Sequence, residues 1–105
     1  MEMSWQVIIH PLVLKEDLPR FDGSIQRKIL KAIRKKLTVD PEGFGSPLRG
    51  VFSNYWKLRV DDYRVIYSVK KEKVLVKVIK IGARRNAEVY DELVRRIPKI
   101  LKERV

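Results

Sequence analysis

The stretch Tyr55–Val69, YWKLRVDDYRVIYSV, alternates apolar and polar side chains on either side of Asp61-Asp62. A period of two is that of a half-buried strand. Trp56, Leu58 and Val60 fall on one side of the first strand, and Tyr55, Lys57 and Arg59 on the other. With Asp61-Asp62 as a two-residue turn, Val60 opposes Tyr63 and Arg59 lies across from Arg64. A third apolar run, Val74–Ile81, follows a short connection centred on Lys71-Glu72, so the expectation is a meander of antiparallel hairpins. Placing Val69 opposite Val74 carries Lys77 to a position beside Ile66.

One face of this sheet is then Trp56, Leu58, Val60, Tyr63, Val65, Tyr67, Val69, Val74, Val76 and Val78, an expected core covered by helices. The other gathers Lys57, Arg59, Arg64 and Lys77 around Tyr55, Ile66, Leu75 and Ile79. Like charges facing each other across two strands are unfavourable by some tenths to about 1 kcal/mol. An anion seated between them would offset that cost. Alternation alone leaves two readings open, an anion site or the solvated outer face of a basic protein.

Upstream, Trp5–His10 is β-branched and reads as a first strand. Pro11 suits the start of a short helix, Leu12 to Leu18, ended by Pro19. His10, at that junction, reads as a cap or surface residue. Asp22 is an N-cap for a longer helix with Ile25, Ile29, Ala32, Ile33 and Leu37 on one stripe. Arg27, Lys28, Lys31, Arg34, Lys35 and Lys36 fall on the rest of its surface. Residues 40–50 contain three Gly and two Pro and read as a loop. Downstream, Asn86 caps a last helix to about Ile97, where Pro98 ends or kinks it, leaving residues 98–105 as a basic tail.

The 105 residues suit one domain, and 45% hydrophobic content excludes disorder as the default. Lys plus Arg number 24 against 13 acidic residues, a net charge of +11. That excess points to a polyanionic partner, nucleic acid or an acidic protein. No segment approaches the ~20 apolar residues of a spanning helix, so membrane is not an expected partner. The absence of cysteine excludes disulfides and thiolate chemistry, and a lone histidine excludes a histidine-pair ribonuclease and a His-rich metal site. Residues 1–10 lack a signal-peptide pattern, and a cytoplasmic location is expected. Neither metal nor cofactor is expected.

The strings YWKLRVDDYRVIYSV and VLVKVIKIGARRNAEVY resemble the signature half of the RelE/ParE toxin superfamily: K-L-R, a short turn, Y-R-V-I-Y, a valine-rich strand ending in G-x-R, and a helix carrying V-Y. The resemblance extends from about Trp5 to Ile97 and implies an α+β, RelE-like fold. Its expected order is β-α-α-β-β-β-α, a small antiparallel sheet with two N-terminal helices packed on one face. It implies a toxin that cleaves mRNA in the ribosomal A site, without metal, and is held inactive by a cognate acidic, RelB-like antitoxin, with larger assemblies possible for the complex. Carried over residue by residue, the catalytic set is Lys57, Arg59, Arg64, which holds the scissile phosphate, Arg84 after the last strand, and Tyr90, associated with proton transfer. Tyr55 stands where active members often carry a second lysine. With Lys77, Arg85 and the helix residues Arg27, Lys31, Arg34 and Lys35, it completes an expected RNA-contacting set. Two alternatives remain: a ParE-like toxin that inhibits DNA gyrase, whose members generally lack the full basic and tyrosine set, and a non-catalytic RNA-binding relic.

Overall fold

The computed structural model describes residues 4–83 and 88–102. The strands are β1 (Gln6–Ile9), β2 (Ser46–Pro47), β3 (Trp56–Val60), β4 (Tyr63–Lys70) and β5 (Leu75–Ala83), in the order β1-β5-β4-β3-β2. The helices are α1 (Gly23–Ala32), α2 (Pro41–Phe44) and α3 (Glu88–Leu101). The α+β expectation holds. The sheet is mixed, however, because β1 runs parallel to β5, with Val7 opposite Val76 and Ile9 opposite Val78. The helical segments between β1 and β3 return the chain to the same end of the sheet, which a parallel pairing requires.

Two apolar layers sandwich the sheet. On one face, Val13 and Leu18 from the first helical stretch and Ile29, Ile33 and Leu37 from the second meet Leu58, Val65, Tyr67, Val76 and Val78. Trp5, Trp56, Tyr63 and Val69 pack against them, as their place on the alternating strands implied. Asp22 caps α1 by accepting the Ile25 N–H at 3.0 Å, and the helix continues as a wide turn over Ile33–Leu37. On the opposite face, α3 lays Leu93 and Ile100 on Ile66 and Ile79. The face expected to be open is therefore partly roofed.

The hairpin register is as the alternation required, with Val60 opposite Tyr63 and Arg59 opposite Arg64. The next register is not. Val69 faces Val76, because Lys71–Lys73 form a helical turn and Val74 adopts a left-handed conformation. A bulge then pairs Ile66 with Lys80 and Tyr67 with Val78, leaving Ile79 as the extra residue. Lys77 therefore lies opposite Ser68, and Lys80 takes the place beside Ile66.

Three local expectations also change. Pro19 sits in the opening turn of a further helical turn, Leu18–Arg20, where its missing N–H costs nothing, and the chain leaves the helix only at Phe21. Residues 40–50 are more ordered than a loop. Asp40 caps α2 through the Gly43 N–H at 2.9 Å, and β2 pairs with β3. Gly45 is needed there, since a Cβ would collide with the Tyr67 hydroxyl, which donates to the Pro41 carbonyl at 2.6 Å. Finally, α3 runs through exposed Pro98 to Leu101, held down by buried Ile100. The tail expected from residue 98 is helical for its first four residues.

His10 is a cap, though not a surface one: it is 1% exposed, and its Nδ1 accepts the Leu12 N–H at 3.0 Å. Beyond the end of β1, the exposed edge of β5 is closed by a side chain. Asp17, fully buried, accepts the Ile81 N–H at 2.8 Å, Lys80 Nζ at 2.9 Å and Arg96 Nη1 at 2.6 Å. Glu92 joins from α3, 3.0 Å from Lys80 Nζ and 3.0 Å from Arg20 Nη2. None of these five pairings was visible in the sequence, whose partners lie up to 79 positions apart.

Candidate active site

Strand alternation and the two-residue turn put Lys57, Arg59 and Arg64 on one face, the face that α3 covers. Arg59 is exposed, whereas Lys57 and Arg64 are half-buried. Facing cations cost little when one leans away to a partner. Arg64 does so: its Nη1 donates to the Tyr90 hydroxyl at 2.5 Å, and its guanidinium carbon lies 5.5 Å from the Tyr90 ring centroid.

Two small features let α3 come this close. Gly82 pairs with Arg64 across β4 and β5. A Cβ there would lie 2.7 Å from Val89 Cγ2, so any side chain would lift the first turn of α3 off the sheet. The Phe52 ring also lies near Tyr90, its centroid 6.0 Å away and tilted by 35°. Tyr90 is thus held by a cation and by an aromatic ring.

The remaining expected site residues divide. Tyr55 is half-buried in the apolar layer with Ile66 and Ile79, and burial pushes its hydroxyl pKa up. In the place of a lysine it packs, and it is a poor proton acceptor near neutrality. Lys77 opens instead into a groove of about 450 Å³ with Tyr55, Ser68, Lys70 and Ile100, four residues along β4 from Arg64. The structure does not bring it to the Arg64 cluster. Arg27, Lys31, Arg34 and Lys35 line a separate open groove of about 400 Å³ with Leu30, on the helices packed against the opposite face. Arg84, Arg85 and the expected cap Asn86 lie outside the described residues.

Residues 7–88 match the family described as the ParE toxin of the type II toxin–antitoxin system parDE. The chain is also 42% identical, over 76 residues, to the mRNA interferase toxin RelE of Escherichia coli strain K12, covering 71% of this chain and 80% of that one. The chain belongs to the RelE/ParE toxin family. Its fold superposes on a variant of E. coli toxin RelE in the free state with a TM-score of 0.67 and 31% identity, over 90% of this chain and 99% of that one. The archaeal RelE–RelB complex from Pyrococcus horikoshii gives 0.64 and 32%, over 81% and 100%.

For a RelE-type toxin, the sequence was informative about β3 and β4 and silent about what surrounds them. Phe52 was missed because it sits in an aperiodic turn, where no alternation assigns a side. Lys80 was missed because the bulge at Ile79 reverses its side relative to strict alternation. The signal that could have found Gly82 was its place, a glycine inside a strand rich in Val and Ile.

Proposed function

We propose that this chain is a ribosome-dependent endoribonuclease that cleaves mRNA in the ribosomal A site and so inhibits translation. The observation that carries the reading is the contact of Arg64 with the Tyr90 hydroxyl on a face that also bears Lys57 and Arg59. The RNA 2′-hydroxyl loses its proton and attacks the adjacent phosphorus; the new O2′–P bond forms as the P–O5′ bond breaks. The products are a 2′,3′-cyclic phosphate and a free 5′-hydroxyl. Arg64, joined by Arg84, balances the negative charge that grows on the phosphate oxygens. Tyr90, against the guanidinium, is assigned to proton transfer, and Lys57 to holding the phosphate or sharing the base role. Arginine donates protons poorly, so Arg59 is assigned to charge balance at the leaving oxygen, which takes its proton from water to give the 5′-hydroxyl. No metal is required by this scheme. A surface site this open depends on the ribosome to align the RNA, a contribution of several kcal/mol.

The +11 charge supports an acidic, RelB-like antitoxin as the inhibiting partner, and the exposed Arg27, Lys31, Arg34 and Lys35 as contacts for ribosomal RNA. The test is primer extension on mRNA after in vitro translation with purified protein. Wild type gives codon-phased cuts, and Arg64→Ala and Tyr90→Phe each lower cleavage by about 100-fold or more. Full activity in both variants would falsify the assignment. A ParE-like action on DNA gyrase is the second reading, favoured by the family match over residues 7–88. It predicts DNA damage on induction without phased mRNA cuts.

A further inference from the structure

The segment between α2 and β3 contains a turn that the proposed chemistry does not use. Leu48 is buried against Ile66 and Leu93, and its N–H donates to the Tyr55 carbonyl at 2.9 Å. Between these anchors, Gly50–Phe52 makes one helical turn, closed by the Ser53 N–H on the Gly50 carbonyl at 3.1 Å and the Tyr55 N–H on the Phe52 carbonyl at 2.9 Å. Gly50 has a φ of 65°, and nothing lies within 4 Å of where its Cβ would be. The glycine therefore serves the turn itself and no close approach. Val51 is 86% exposed, so Phe52 is the one large side chain the turn directs inward.

We propose that Phe52 is a positioning residue for Tyr90, packed beside its ring in the same apolar layer so that the phenol keeps its place when RNA occupies the site. This rests on the ribonuclease reading above. Arg64 ties the Tyr90 hydroxyl in the free protein, yet in that reading Arg64 must also bind the phosphate. A phosphate drawing on the guanidinium weakens the polar tie on the phenol. The ring contact with Phe52 carries no charge, so it persists at the moment the polar tie loosens. Losing it returns rotamer freedom to Tyr90, and small misplacements of a reacting group reduce rates steeply.

The experiment is single-turnover cleavage by the full chain on programmed ribosomes, with the saturating rate and half-saturating ribosome concentration measured separately. Phe52→Ala is expected to lower the saturating rate ~10-fold and leave half-saturation within about twofold. Phe52→Tyr restores the rate, and Phe52→Leu, which keeps apolar bulk without the ring, does not. In a Tyr90→Phe background, Phe52→Ala has no further effect, whereas a general loss of folding would slow both backgrounds alike. If Phe52→Ala unfolds the protein, the Leu and Tyr variants carry the comparison. A wild-type rate in Phe52→Leu, a change confined to half-saturation, or an undiminished effect in the Tyr90→Phe background overturns the proposal while the ribonuclease reading stands. A wild-type rate in Tyr90→Phe overturns the proposal together with the role assigned to Tyr90, and absence of cleavage by the wild-type chain overturns the ribonuclease reading itself.

Discussion

Arg64 and Val74 are placed with different consequences for stability. Arg64 is half-buried and bonded to a partner that is itself partly accessible, so its removal leaves no buried orphan. Arg64→Ala should change unfolding free energy by less than about 1 kcal/mol while suppressing cleavage, which separates function from folding. Val74 has a φ of 50°, where a β-branched side chain meets its own backbone. Its backbone bonds, to Lys71 and from Gln6, do not need a valine. Val74→Asn should therefore raise stability by up to about 1 kcal/mol, seen as a higher melting temperature in calorimetry. A fall in melting temperature would show that the partly buried valine side chain outweighs the strain. Arg59 opposite Arg64 was legible in the sequence, because a two-residue turn fixes register. The left-handed Val74 was not, since valine is among the last residues to suggest one.

Among the elements, α3 combines two kinds of attachment to the sheet. Leu93 and Ile100 supply an apolar stripe, and Arg96 and Glu92 supply charges to a group centred on Asp17. The Asp17 carboxylate also replaces a strand partner for Ile81, where β1 has ended. Removing it leaves Lys80, fully buried, and Arg96, 5% exposed, without their main counter-charge. Asp17→Ala should destabilise by about 3–5 kcal/mol, measured by urea unfolding. A loss under 1 kcal/mol would mean that water or Glu16 and Glu92 take over. The same substitution is expected to loosen α3 and hence the Arg64–Tyr90 contact, although none of these charged groups lies in the proposed site. The helix itself was foreseen. Whether it ends at Pro98 or passes through was left open, because burial of Ile100 outweighs one lost backbone bond only when the sheet beneath is present.

For the whole molecule, the network gives stability a definite pH dependence. Glu92 is held down to about 2, from an ordinary 4.5, first by its hydrogen bond to Arg20 and then by Lys80, against a desolvation that acts the other way. Since the folded value is the lower one, unfolding at intermediate pH takes up a proton. The stabilisation is complete above about 4.5, declines as pH falls, and is gone below about 2. Because the Arg20 partner is exposed and solvent screens that pair, it amounts to about 1–2 kcal/mol. Urea unfolding from pH 6 to pH 2.5 should show this decline, and Glu92→Gln should flatten it. An unchanged slope in that variant would assign the acid sensitivity to other carboxylates.

The β3–β4 hairpin, its register, the stripe of the longer helix and the basic character of the surface could all be read from the chain, because each depends on residues a few positions apart. Periodicity is a local quantity, and a two-residue turn leaves no freedom in pairing. The parallel docking of β1, the bulge at Ile79, the fit of α3 over Gly82 and the gathering of Asp17, Lys80, Arg96 and Glu92 depend on contacts between distant segments. Their energies come from burial and from charge pairing inside the fold, which no local pattern encodes. The site divides in the same way: Lys57, Arg59 and Arg64 share a face by alternation, while Tyr90 reaches Arg64, and Phe52 reaches Tyr90, only once two other segments have packed against that face.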